Sequence, residues 1–277
     1  MRFGAHSQML VHDLDDDAMW IFERARDWGL DALELHVADP ETFPADAVRR
    51  ASAEYGIGVV LGTALNAHNS TVSDDAEVRA TGRRHLRGCV DVAVRVGASK
   101  VCGGLHSANG HFVGRGRTDD EWKRSVSALR EAGEYAGERG VTLTVEPVSR
   151  YSGYFLNTAA DAVALVDEVG LPSVGVQLDT FHMNIEESDM AEAIRLAGPR
   201  LKHFHAVENN RGIPGTGQVP WADCFAALSE VGYDDLCVFE FFPVDLPVMA
   251  RRTHTWRQLA TSEQVAVEGR RRLSALL

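Results

Sequence analysis

Short apolar segments alternate with longer amphipathic segments along the whole chain, and this alternation limits the possible folds more than any other feature. The apolar segments are rich in Val, Leu and Phe, which is typical of strands buried on both faces. Eight of them predict strands: Arg2–Ser7, Ala32–Val37, Gly58–Thr63, Lys100–Leu105, Val141–Val148, Ser173–Asp179, Leu201–Val207 and Leu236–Phe242. Nearly all are followed by a helical pattern, which indicates parallel strands joined by helical crossovers. Eight such units predict an α/β protein with a (β/α)8 TIM barrel in a single domain, residues 1–277.

The helical patterns complete this prediction. They cover Asp15–Trp28, Asp74–Val96, a segment that begins at Thr118, Thr158–Val169, Asp189–Leu196, Pro220–Val231 and Thr261–Leu277. Thr118 and Glu121 have the spacing of a capping box, which marks a helix start. No glycine-rich phosphate motif follows the first strand, so an open nucleotide-binding sheet is disfavoured. The Gly-rich segment Ser107–Arg117 follows the fourth strand and is a candidate active-site loop.

The composition excludes several classes of protein. With 45% hydrophobic and 25% charged residues, the chain is neither disordered nor fibrous. Its formal net charge of −12 repels phosphate groups, so we expect no nucleic-acid partner and no membrane partner. Four widely spaced cysteines fit neither a disulfide framework nor a thiolate zinc site. Together with an N-terminus that has no signal-peptide pattern, they predict a cytoplasmic protein.

Metal-capable side chains occur at the ends of four successive predicted strands. Glu146 and Asp179 end the fifth and sixth strands, His203 and His205 share one face of the seventh, and Glu240 ends the eighth. The active site of a TIM barrel lies where these strand ends meet. The three carboxylates, with one imidazole from the seventh strand, form a hard, oxygen-rich site that suits Mn²⁺, Mg²⁺ or Co²⁺. The sequence therefore predicts a divalent metal site at this rim.

Two further side chains point to the same region. His182 lies three residues after Asp179, and Arg211 lies six residues after His205. Beside a metal ion, an imidazole and a guanidinium are suited to holding an oxygen on which negative charge develops. Each alone would be an ordinary residue, His182 as a loop histidine that caps the next helix and Arg211 as a surface ion-pair partner.

The segments VEPVSRY, VQLDTFHMNIEE and HFHAVENNRGIPGTGQVPW, with the FE of the eighth strand, resemble the ketose 3-epimerases, the D-tagatose and D-allulose 3-epimerase group of the xylose-isomerase-like superfamily. The resemblance implies one divalent ion, Mn²⁺ first and Co²⁺ or Mg²⁺ as alternatives. It assigns the metal to Glu146, Asp179, His205 and Glu240, and the paired acid and base roles to Glu146 and Glu240. It assigns substrate contacts to His182 and Arg211, and places Glu34 in the site with a less defined role.

The chain also departs from the family pattern around the pocket. Ser152 stands where relatives have a glutamate that touches the O1 end of the substrate, and the fourth strand ends in GGLHSANG, which places His106 and Asn109 at positions that we expect to contact substrate. The metal chemistry is therefore better defined than the sugar. The resemblance also implies a homodimer or homotetramer. Aromatic residues that a partner or the core could bury are Trp221, Phe241, Phe242 and Trp256.

The predicted reaction is C3 epimerisation of a small-molecule sugar, a free ketose, through an enediolate between two opposing glutamates. The same metal site could also serve an aldose–ketose isomerase, a hydroxypyruvate or keto-inositol isomerase, or a dehydratase or lyase that acts on a 3-oxo sugar. A phosphoesterase that resembles endonuclease IV shares the barrel, but it needs more histidine ligands and a basic face. A sugar-binding barrel without catalysis would not need two carboxylates around a metal ion.

Overall fold

Strands and helices alternate along the chain, and the computed structural model describes all residues, 1–277. The strands are β1 (Arg2–His6), β2 (Ala32–His36), β3 (Gly58–Ala64), β4 (Lys100–Gly104), β5 (Thr142–Val145), β6 (Val174–Asp179), β7 (Leu201–His205) and β8 (Leu236–Phe239). The helices are α1 (Trp20–Asp27), α2 (Ala45–Tyr55), α3 (Ala76–Val96), α4 (Asp119–Gly137), α5 (Ala159–Val169), α6 (Thr180–Glu186), α7 (Met190–Ala197), α8 (Trp221–Glu230), α9 (Pro247–Thr253) and α10 (Ser262–Ser274).

The strands close into a barrel. Each pairs in parallel with the next, and β1 pairs with β8 from Arg2 opposite Leu236 to Ala5 opposite Phe239. This confirms the predicted (β/α)8 TIM barrel. Since all the strands are parallel, their C-terminal ends meet at one rim. None of the helices is both long and apolar enough to cross a membrane.

Aromatic packing and helix capping hold this framework together. The rings of Phe3 and Phe239 stack with centroids 5.7 Å apart, across the pair of strands that closes the barrel. The α4 helix begins with the predicted capping box between Thr118 and Glu121. The largest fully buried side chains are Phe22, Phe155, Phe204 and Phe239.

The structure differs from the predicted elements in two respects. Three short helices, α2, α6 and α9, were not predicted. The α2 and α9 helices follow residues that make no side-chain cap, so only Pro44 and Pro247 mark where they start. In addition, β5, β7 and β8 end earlier than expected, at Val145, His205 and Phe239. Glu146 and Glu240 therefore lie one residue beyond their strands.

Four aromatic residues could be buried either in the core or against a partner subunit, and most of them lie in the core. Trp221, Phe241 and Phe242 are buried within the chain, while Trp256 is 68% exposed. Core packing therefore explains three of the four without a partner. All four cysteines are free thiols and are buried, as the absence of a disulfide framework predicts.

Candidate active site

A cavity of about 560 Å³ opens at the C-terminal rim of the barrel, within the range of roughly 300–1,000 Å³ typical of small-molecule sites. The strands deliver the metal-capable residues to its wall. Asp179 and His205 are the last residues of β6 and β7, and Glu146 and Glu240 directly follow β5 and β8. Glu146, His205 and Glu240 line the cavity, and Asp179 lies beside His205. The structure thus brings all four together.

The distances within this group fit a divalent cation. His205 Nδ1 lies 3.6 Å from Asp179 Oδ2 and 3.9 Å from Glu146 Oε1. Ligand atoms of Asp179, His205 and Glu240 lie within 4.8 Å of one another. Asp179 Oδ2 is buried and has no hydrogen-bond partner in the protein. A buried carboxylate oxygen without a donor, among further oxygen and imidazole ligands, is what a hard divalent ion requires.

The electrostatics of the group also favour a cation. Burial, followed by the carboxylates of Asp179 and Glu240, raises the pKa of Glu146 to about 8. Burial opposes ionisation of Asp179 as well, but the adjacent His205 ring, followed by His182 and Arg211, outweighs it and lowers the pKa of Asp179. Like charges this close destabilise one another. A bound cation would relieve that repulsion and keep Glu146 ionised.

Glu34 lies behind His205 and orients it. Its Oε2 accepts hydrogen bonds from Nε2 of His205 at 2.9 Å and from Nε2 of His203 at 2.7 Å. Burial disfavours the carboxylate, but His205 and His203 hold the pKa of Glu34 well below its usual range. Because Nε2 of His205 donates to Glu34, its Nδ1 is the nitrogen that can bind a metal ion. This carboxylate–histidine arrangement is common behind metal ligands.

His182 and Arg211 both line the cavity, as predicted. Nδ1 of His182 accepts from the backbone N–H of Ser149 at 3.1 Å, so Nε2 carries the proton and can donate. The Arg211 guanidinium forms a hydrogen-bonded ion pair with Glu240 and lies 4.1 Å and 4.7 Å from the ring centroids of Phe181 and Phe242. Both side chains are therefore held in fixed orientations.

A residue that sequence reasoning missed holds the loop of Arg211. Glu208 is fully buried, and its carboxylate accepts from Trp221 Nε1 and from the backbone N–H groups of Gly215 and Val219, all between 2.9 and 3.1 Å. Its carbonyl oxygen accepts from the N–H of Arg211. The available signal was a carboxylate directly after the predicted seventh strand, but nothing in the sequence indicated which groups would donate to it.

The structure does not bring His106 to the cavity wall. Its ring nitrogens lie 2.9 Å from Ser107 Oγ and 2.9 Å from the carbonyl oxygen of Glu146, and the side chain is buried. We expected His106 to contact substrate, but in this position it holds the backbone of Glu146. Of the predicted loop Ser107–Arg117, Asn109, Gly110 and Phe112 line the cavity, as does Ser152.

Comparison with known proteins identifies similar chains over nearly the full length. Residues 22–275 match the family model of the xylose isomerase-like TIM barrel. The chain is 32% identical to the ketose 3-epimerase of Arthrobacter globiformis, over 94% of this chain and 90% of that protein. It is 36% identical to the L-ribulose 3-epimerase of Mesorhizobium japonicum, over 93% and 88%. A crystal structure of D-allulose 3-epimerase from Methylomonas sp. superposes with a TM-score of 0.95 at 30% identity, covering 100% of this chain and 98% of the other.

Proposed function

The chain belongs to the xylose isomerase-like TIM barrel family, and from this premise we propose that it interconverts ketoses that differ in configuration at C3. It is an enzyme of the sugar isomerase and epimerase class. One observation carries the proposal: Glu146 and Glu240 follow strands three positions apart and line one cavity. An epimerase acts on both faces of one carbon, so it needs a proton carrier on each side of the substrate.

The same residues provide a metal site in this proposal. Glu146, Asp179, His205 and Glu240 hold one divalent ion, with Mn²⁺ as the first choice and Co²⁺ or Mg²⁺ as alternatives. When bound, the ion supplies Lewis-acid chemistry, which polarises the ketose carbonyl and stabilises the developing negative charge by roughly several kcal/mol. Glu34 keeps His205 in the tautomer that the ion needs.

The two glutamates move the proton. One carboxylate removes the proton from C3, and the electron pair of the broken C–H bond forms the C2–C3 double bond of an enediolate. The other glutamate, protonated, delivers its proton to the opposite face of C3 and so inverts the configuration. Each group contributes about 10²–10⁴-fold in rate. Nε2–H of His182 and the guanidinium of Arg211 donate to the oxygens where charge develops.

We propose a free ketose rather than a phosphorylated one. Arg211 is the buried cation of the cavity, and it is already paired with Glu240 and stacked on two aromatic rings. Its charge is thus already balanced by Glu240, so it can donate to a hydroxyl or carbonyl oxygen but adds no net positive charge for a phosphate dianion. The other arginine of the cavity wall, Arg252, is exposed. Buried free thiols agree with the cytoplasmic location that the sequence predicts.

The proposal is tested by incubating Mn²⁺-loaded protein with a panel of ketohexoses and ketopentoses and identifying the products by NMR. We expect C3 epimers from at least one sugar. Asp179→Ala should lose both the ion and the activity, whereas Asp223→Ala, a matched change on the exposed face of α8, should match the parent. Unchanged metal affinity in Asp179→Ala, or no C3 epimer from any ketose, would contradict the proposal.

A further inference from the structure

The cavity has a second polar wall that the proposed reaction does not use. Gln8 lies in the 3-10 turn Ser7–Met9 directly after β1, and His36 is the last residue of β2. Both line the cavity. In an eight-stranded barrel β1 lies across from β5, so this wall faces the side from which Glu146 projects. A hydrogen bond from the N–H of His36 to Ser7 Oγ at 3.0 Å fixes the two segments side by side.

Gln8 is buried, and its side-chain amide nitrogen is unsatisfied. The residue is only 4% exposed, and Nε2 has no hydrogen-bond partner in the protein. A buried donor without a partner is unfavourable, and a ligand that accepts the hydrogen bond would recover that free energy. Gln8 lines the cavity, so a molecule that enters there is the candidate for the missing partner.

His36 adds a neutral hydrogen-bonding group beside Gln8. Burial, followed by the nearby His6 and Arg252, lowers the pKa of His36 to about 3, so the ring is uncharged at neutral pH. Its ring nitrogens make no hydrogen bond in the protein, and one of them donates while the other accepts. An amide and a neutral imidazole each offer a donor and an acceptor, as does a hydroxyl group. The pair therefore matches a neutral hydroxyl better than a carboxylate or a phosphate.

We propose that Gln8 and His36 form a subsite for a terminal hydroxyl of the ketose, remote from C3, and that Gln8 thereby contributes to sugar specificity. This rests on the proposed function, because a sugar held at C2 and C3 near Glu146 and Glu240 must place the rest of its chain along another wall. Sequence reasoning did not identify this role, because Gln8 lies in no recognisable motif.

The test compares three sugars that differ by single hydroxyl groups: D-allulose, 1-deoxy-D-allulose and 6-deoxy-D-allulose. Their dissociation constants are measured by calorimetry on the Mn²⁺-loaded parent and on Gln8→Met, which retains the length of the side chain. We expect Gln8→Met to weaken D-allulose about 3- to 10-fold, the scale of one hydrogen bond. One of the two deoxy sugars should bind equally to parent and variant, because it lacks the hydroxyl to which Gln8 hydrogen-bonds.

His36→Phe provides a second, independent variant and should show the same selective loss. Gln258→Leu, on an exposed residue outside the cavity, is the control and should leave all three constants unchanged. Equal weakening of all three sugars, or of none, would overturn the subsite, as would a parent that binds none of them. If the parent binds the sugars but makes no C3 epimer, the proposed reaction fails while the binding comparison still decides on the subsite.

Discussion

Glu34 controls which nitrogen of His205 faces the cavity, and this can be tested with one substitution. Glu34→Gln preserves shape but replaces a carboxylate that accepts two imidazole hydrogen bonds. Loss of such a carboxylate behind a metal-binding histidine typically costs about 10–100-fold in metal affinity. We therefore expect Mn²⁺ to bind Glu34→Gln that much more weakly, as measured by calorimetric titration of chelator-treated protein.

The matched control for this experiment is Glu121→Gln, which makes the same chemical change on α4 outside the cavity. Its Mn²⁺ affinity should equal that of the parent. An unchanged affinity in Glu34→Gln would mean that His205 does not depend on Glu34, or that the ion is held elsewhere.

The residues at strand ends could be predicted from the sequence, while their partners could not. Glu146, Asp179 and Glu240 follow apolar segments that local patterns reveal. By contrast, Glu34 and His203 are 169 residues apart along the chain, and only the closed barrel brings them within 2.7 Å. His106 shows the converse: its position near the end of a strand suggested a cavity residue, but tertiary contacts turn it towards the carbonyl of Glu146.

At the scale of single elements, the start of α4 gives a pH-dependent prediction. Burial opposes ionisation of Glu121, but hydrogen bonds from Arg115, from the N–H of Thr118 and from Tyr154 outweigh it and lower its pKa from 4.5 to about 2. Because the folded-state pKa is the lower one, the ionised carboxylate stabilises the fold. This contribution is complete above pH 4.5 and is lost as the pH falls towards about 2.

Glu121→Gln should consequently reduce the free energy of unfolding by about 1–2 kcal/mol at neutral pH. The difference from the parent should shrink at about pH 3, because there the Glu121 carboxyl is mostly protonated in the unfolded chain but still mostly ionised in the folded one. Urea unfolding of both proteins at the two pH values measures this. A difference that is the same at both would show that the charge of Glu121 is irrelevant to the helix start.

Elements were predictable where the chain carries start and stop signals. The capping box of α4 was recognised from Thr118 and Glu121 because those side chains bond to their own helix. The seven-residue α6 helix was missed because it is too short to show a helical period. Its cap is Asp179, whose Oδ1 accepts from the N–H of Phe181 while Oδ2 stays free for a metal ion. One residue thus starts a helix and belongs to the site.

For the whole molecule, we predict a homodimer or a homotetramer. The core accounts for most of the aromatic residues, but Phe112 and Tyr151 at the cavity mouth are 53% and 76% exposed, and Trp256 is 68% exposed. Tyr, Trp and Phe are enriched at protein–protein interfaces, so these three side chains are candidates for a contact between subunits. Light scattering should give a mass of at least twice the 30.3 kDa of one chain. A mass equal to one chain across the accessible concentration range would contradict the prediction.

The central claim, that two glutamates act on opposite faces of C3, is tested most directly by solvent deuterium. Mn²⁺-loaded parent, Glu146→Gln and Glu240→Gln are each incubated in D₂O with each pure C3 epimer of the substrate ketose in turn and followed by NMR. We predict deuterium at C3 of both epimers with the parent. Each variant should lose epimerisation by about 10²–10⁴-fold, yet exchange the C3 proton of the one epimer that its remaining glutamate can reach. Deuterium at C1 alone, or full epimerase activity in either variant, would contradict the claim and favour an aldose–ketose isomerase.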